Sequence, residues 1–291
     1  MDIKITDVRS LKGDSAFLID DGKTSVLYDS GFGFTGFSVA ENIKKELKGR
    51  SLNFIFLTHS HYDHALGSAY ILERFKDAKV VAGEYAEKIF AKPTAKSLMR
   101  ELDQKFAHKN GVEVYEDLAD NLKVHISVKD GDKINAGGMC FTALNLPGHT
   151  KCSVGYYLES EKLLLSTESL GVYVGEGMVV PSYLVGYQMV LDSIKKVQSL
   201  DVERILVPHY GVIEKEEAKL YLNKAFDSAV STAEEIAEIL KSGGSKTDAV
   251  NHFAAKYYKG KVKEIYPYDA MMLNTSITVD LIERELVHPA I

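Results

Sequence analysis

The sequence predicts an α/β core over residues 1–213 followed by a helical segment over 214–291. Three observations predict it. Up to Ile213, short runs of strand character alternate with short amphipathic stretches, the pattern of sheets covered by helices. One run, Leu52-Asn-Phe-Ile-Phe-Leu57, is almost continuously apolar, as a strand buried on both faces requires. After Ile213 strand character stops, and Ala218, Leu222, Ala225, Ala229, Ile236 and Leu240 recur along one face of a long helix.

In chain order, Ser15–Asp20 and Thr24–Tyr28 read as a hairpin across Asp21-Gly22, a dipeptide that favours tight turns. Ser38-Val-Ala-Glu41 has the form of a capping box, and Val39, Ile43 and Leu47 then share one helical face. After Leu52–Leu57 the pattern predicts a helix over Ala65–Phe75, a strand near Lys79–Ala82, and helix over 83–110 broken at Pro93. Strands return from Leu122 to Leu165 between glycine-containing turns. The long helix after Ile213 stops at Gly243-Gly244, and two more helices follow over 247–258 and 269–287, separated by a loop from Gly260 to Pro267. The C-terminal helices are expected to cap the core, with Tyr257, Tyr258, Met271 and Met272 read as core packing residues or as contributors to a lid.

Composition excludes several function classes. Hydrophobic residues make up 45% and charged residues 26%, as in ordinary folded domains and unlike disordered chains. A net charge of −6 argues against nucleic acid as the partner, since phosphate binding needs a basic face. No run reaches the roughly 18 apolar residues of a membrane span. The start, MDIKITDVRS, lacks the apolar stretch of an export signal, so a cytoplasmic location is expected, with Cys140 and Cys152 as thiols. A small-molecule substrate is expected, and a homodimer is left open.

Chemistry concentrates in His59-Ser-His61-Tyr-Asp63-His64, where three imidazoles and a carboxylate fall within six residues directly after the buried strand. A loop leaving a rigid sheet edge can converge such side chains on one point. Nitrogen and carboxylate donors at this density suit a borderline ion, zinc first, with manganese or iron as alternatives.

Thr58-His59-Ser-His61-Tyr-Asp63-His64 resembles the HxHxDH signature of the metallo-β-lactamase-fold superfamily. Three further motifs are similar and stand in the family's order: Tyr28-Asp29-Ser30-Gly31, Pro147-Gly148-His149-Thr150 and Val207-Pro208-His209-Tyr210-Gly211. The resemblance implies a four-layer αββα sandwich with a two-metal site along one edge of the sheets. It implies that His59, His61 and His149 hold one metal, that Asp63, His64 and His209 hold the other, and that Asp29 supports them from behind. It also implies a metal-bridging hydroxide as nucleophile, which Asp63 helps to orient. One ligand departs from the family pattern. Where an Asp usually bridges the metals, the strand Leu163–Thr167 is followed by Glu168, and no Asp occurs between His149 and Val190. Glu168 is the candidate bridge, or else a carboxylate that starts a helix.

Around these ligands, residues 171–187 place Tyr173, Met178, Tyr183 and Tyr187 among glycines, either lining a small-molecule pocket or packing against the C-terminal helices. Tyr62 and Tyr210, adjacent to ligands, are candidate oxyanion donors. The resulting expectation is a dinuclear metal-dependent hydrolase of a small ester, thioester or lactone. A phosphodiesterase and a metal-containing binding or effector protein with vestigial hydrolysis are the alternatives. The layout of C-terminal helices resembles that of glyoxalase II-like thioesterases and some lactonase-like members.

Overall fold

The computed structural model describes residues 3–288. The chain divides into two compact units, residues 1–145 with 152–166, and residues 146–151 with 167–291. The junction at residue 213 expected from the sequence lies inside the second of these.

The first unit is built on a six-stranded sheet with strands in sequence order. Strands β1 (Lys4–Asp7), β2 (Phe17–Asp20) and β3 (Ser25–Tyr28) pair antiparallel. The β2–β3 hairpin turns where expected. Gly22 takes a left-handed φ of 85°, and the Asp21 carboxylate accepts from the Lys23 and Thr24 amides. From β3 onward pairing is parallel, through β4 (Phe54–Phe56), β5 (Lys79–Gly83) and β6 (Ile126–Val128). Parallel neighbours need crossovers, supplied by α1 (Gly36–Leu47), by α2 (Tyr62–Ala65) with α3 (Gly67–Arg74), and by α4 (Glu84–Phe90) with α5 (Pro93–Lys109). Pro93 opens α5, where its missing N–H costs nothing. Val39, Ile43 and Leu47 of α1 are buried in one core with Leu27, Ile55 and Leu57.

Two local expectations differ. The capping box at Ser38–Glu41 does not form, because α1 already begins at Gly36, with Thr35 at its N-cap, which puts Ser38 inside the helix. Gly36 lets α1 approach α3, since a Cβ there would stand 2.7 Å from Tyr70 Cβ. The helix expected over 65–75 is split at Leu66, because the Gly67 amide leaves the helical ladder to donate to Gly31 O at 3.0 Å.

A second, antiparallel run in this unit comprises β7 (Lys133–Ala136), β8 (Met139–Asn145), β9 (Val154–Leu158) and β10 (Leu163–Leu165). It packs on the first sheet through aromatic contacts. The ring of Phe56 lies 4.6 Å from that of Tyr156 and 5.2 Å from that of Phe141, and the Tyr156 hydroxyl donates to Leu57 O.

The second unit holds the short hairpin β11 (Val172–Tyr173) and β12 (Val179–Val180), helix α6 (Tyr187–Gln198), and the hairpin β13 (Arg204–Val207) and β14 (Gly211–Glu214). Helix α7 (Lys215–Lys241) follows, then α8 (Lys246–Tyr257), α9 (Val262–Ile265) and α10 (Tyr268–Ile282). Ala218, Leu222, Ala225, Ala229 and Ile236 form the buried stripe of α7, which ends at Gly243 in the left-handed region. Helix α9 occupies part of the segment expected to be a loop, one short turn that carries no apolar period of its own. Tyr257 and Met271 are buried, in keeping with packing roles. Among the described residues no helix is long and apolar enough to cross a membrane. Cys140 and Cys152 are both thiols.

Candidate metal centre

Four candidate ligands belong to the first unit. Strand β4 delivers the chain to Thr58, and the residues from His59 to His64 turn directly into α2. His59 and His64 are fully buried, whereas His61 and Asp63 are partly exposed. The rings of His61 and His64 lie 4.5 and 4.1 Å from that of His59. Asp63 Oδ2 is 3.7 Å from His64 Nε2.

Asp29 at the end of β3 organises this group from behind. Its backbone is left-handed, with φ 53°, and its carboxylate is wholly buried. Oδ1 accepts from the Thr58 amide at 2.9 Å. Oδ2 accepts from the hydroxyls of Ser15 and Thr58 and faces His64 Nδ1 at 2.7 Å. The next residue repeats the link, since both the amide and the hydroxyl of Ser30 donate to His64 O. Gly67 must be glycine here, because a Cβ would stand 2.0 Å from Ser30 O.

The other three candidates belong to the second unit. His149 lies in the Pro147–Thr150 turn, whose backbone is held on every side. Pro147 O accepts from the Ser193 hydroxyl, Gly148 O from the amides of Leu184 and Val185, and the His149 amide donates to Ser169 Oγ. Gly148 has φ 133°, and a Cβ there would stand 2.3 Å from the Val190 side chain. His149 Nδ1 is 2.8 Å from Ser182 Oγ. His209 lies in the turn between β13 and β14 in a left-handed conformation, φ 62°, a strained backbone of the kind found at functional sites.

Glu168 opens a single 3₁₀ turn, Glu168–Leu170, so it is a helix-start carboxylate. It also turns one oxygen to each histidine of this group. Oε2 is 2.7 Å from His149 Nε2, and Oε1 is 3.5 Å from His209 Nε2. The longer side chain thus presents two oxygens in two directions.

The donor chemistry fits a borderline divalent ion. In His59, His64 and His149 the Nδ1 atom faces a Thr hydroxyl, an Asp carboxylate and a Ser hydroxyl respectively. Such partners can hold the proton on Nδ1, which presents Nε2 as the coordinating nitrogen. The hydroxyls of Thr58, Ser169 and Ser182 belong to none of the expected ligands, and only Thr58, next to His59, stood where a sequence signal could have marked it.

The aromatic candidates divide. Tyr62 is partly exposed, its ring 5.7 Å from Phe32. Tyr210 is 36% exposed and meets Tyr173 edge-on at 4.7 Å, while the Tyr173 hydroxyl donates to Glu217. Met178 is partly exposed. Tyr183 is wholly buried with its hydroxyl on Ala229 O, and Tyr187 packs on it at 5.5 Å. For Tyr183 this is the packing alternative, because its ring and hydroxyl are taken up by α6 and α7.

Comparison with known proteins agrees with the motifs. The model of the "Metallo-beta-lactamase superfamily" matches residues 12–209. A hydroxyacylglutathione hydrolase of Ruegeria pomeroyi is 27% identical over 175 residues, covering 58% of this chain and 53% of the relative. The lactamase-like protein vrtG of Penicillium aethiopicum is 24% identical over 245 residues, covering 82% and 66%. The chain therefore spans about half the length of the hydroxyacylglutathione hydrolase it matches. Among solved structures, a metallo-beta-lactamase family protein of Thermus thermophilus superposes with a TM-score of 0.62 at 17% identity, covering 92% of this chain and 86% of that one. It shares the mixed α/β fold. Signature, fold and family model converge, and the chain belongs to the metallo-beta-lactamase superfamily.

Proposed function

We propose that the protein is a dinuclear metal-dependent hydrolase that cleaves a small ester, thioester or lactone. By the resemblance of the motifs, His59, His61 and His149 would hold one divalent ion and Asp63, His64 and His209 the other, with Glu168 shared between them. Zinc is the first choice for this donor set, with manganese and iron next. When bound, such a pair acidifies water and polarises the bond to be cut.

The chain's own residues supply the rest. Asp29 and the Ser and Thr hydroxyls fix the imidazoles, so that no side chain must reorganise as charge develops. Asp63, partly exposed beside His64, orients the attacking water. Tyr210, exposed next to His209, is available to donate to the oxygen that gains charge. Preference for a thioester rests on the hydroxyacylglutathione hydrolases among the relatives, and a reducing, cytoplasmic setting on the two thiols.

The observation that carries this reading is the pair of Glu168 oxygens turned toward His149 and His209. A carboxylate so placed can take over the bridging role of the usual Asp, which argues against vestigial chemistry. Elemental analysis should find two ions per chain, with turnover of an acyl-thioester panel that a chelator abolishes. Glu168→Gln should lose the second ion and lower kcat/KM beyond the roughly 10–100-fold typical of an outer-shell partner. A large gain of activity in Glu168→Asp, or no turnover in fully loaded protein, would overturn the proposal in favour of a binding role.

A further inference from the structure

The segment Pro181–Gly186 touches the His149 turn at two levels. Ser182 Oγ lies 2.8 Å from the imidazole Nδ1. Gly148 O accepts from the amides of Leu184 at 3.1 Å and Val185 at 3.0 Å, with that of Gly186 at 3.4 Å. One contact bears on the ring and the other on the peptide that carries it.

The same segment is tied to the C-terminal helices through Tyr183, whose side chain is wholly buried. Its carbonyl accepts from the Thr278 hydroxyl of α10 at 3.1 Å, and its own hydroxyl reaches Ala229 O of α7 at 3.5 Å. Thr278 and Ser182 also line one small, partly open gap with Phe253, Met271 and Thr275. The hydrogen bond from Thr278 is one fixed link between this segment and α10.

We propose that Ser182 and Thr278 are positioning residues, through which the C-terminal helices set the orientation of His149. Ser182 holds the ring, and Thr278 holds the segment that holds both the ring and Gly148 O. This rests on the reading of His149 as a metal ligand. It gives the C-terminal helices a role in metal retention, separate from covering a cleft.

Two conservative variants test it: Ser182→Ala, which removes the hydroxyl, and Thr278→Val, which removes it at nearly constant volume. Zinc affinity is measured by competition with a chromophoric chelator, and amide hydrogen exchange is followed on the metal-free proteins. Ser182→Ala should weaken zinc binding by about 10–100-fold, the range for outer-shell partners. Ser182→Thr should recover most of it. Thr278→Val should weaken binding by several-fold and speed exchange at the Leu184 and Val185 amides while α7 exchanges as before. Parent-like zinc affinity in Ser182→Ala would overturn the ring-positioning role. Unchanged exchange at Leu184 and Val185 in Thr278→Val, or a rise spread evenly over the second unit, would overturn the link to the helices. A parent protein that binds no zinc, manganese or iron would overturn the metal reading and the Ser182 role with it, whereas the exchange data would still decide the Thr278 link.

Discussion

The two groups of candidate ligands are supported in different ways. His59, His61, Asp63 and His64 come from six consecutive residues, and a buried carboxylate, Asp29, stands behind them. His149, Glu168 and His209 come from three separate turns, and neutral hydroxyls of Ser169 and Ser182 stand behind His149. A charged support binds more strongly but costs desolvation, whereas a hydroxyl is cheap to bury and can donate or accept. The first group should therefore fail abruptly when its support is removed, and the second should loosen by steps.

Asp29→Ala gives the largest expected effect. It strands His64 Nδ1 and the Thr58 amide in a dry interior, so a loss of about 3–5 kcal/mol in urea denaturation is expected, together with loss of metal. Loss below about 1 kcal/mol would erase the distinction.

The pH dependence of stability is the next test, because the carboxylate-supported side has a second buried acid. Asp103 of α5 accepts from the Gly33 and Phe34 amides and the Tyr115 hydroxyl. Burial nevertheless pushes it up to about 6. Its folded value lies above its unfolded one, so the native state binds the proton more tightly. That contribution is complete below about pH 4 and is lost as pH rises through about 6. The rise from 3.8 to about 6 sets a ceiling of about 3 kcal/mol. Urea midpoints between pH 4 and 7.5 should show the decline, and Asp103→Asn should flatten it.

Gly148→Ala probes the other group. The added methyl meets Val190, and displacement of the turn should cost about 1–3 kcal/mol. Metal content should fall more than stability does. The smallest effect is expected from Ser169→Ala, about 1 kcal/mol for one hydrogen bond, with the fold intact. If Ser169→Ala were as damaging as Asp29→Ala, the contrast between the two supports would be wrong.

The same contrast governs what could be read from the sequence. The hexapeptide was legible because its ligands fall close together and follow an apolar strand, and the Asp29, His149 and His209 motifs because they resemble the family's and stand in its order. Glu168 was legible only as the carboxylate present where an aspartate was missing. Ser182 was not, because 33 residues separate it from His149 and a lone serine has no pattern. The split at Leu66 and the early start of α1 were hidden for a related reason. Each is decided by a glycine meeting a distant backbone or ring, a tertiary contact that local propensity does not encode.

The contact between Gly67 and Ser30 sets a limit on how this protein can change. With no room for a single methyl at position 67, the start of α3 is held against the end of β3 at a fixed gauge. Random drift or laboratory evolution can retune the protein by exchanging the partly exposed side chain at position 62 or residues of the second unit. It cannot widen the gap between Asp29 and His64 by small steps, because the first step is the one that does not fit.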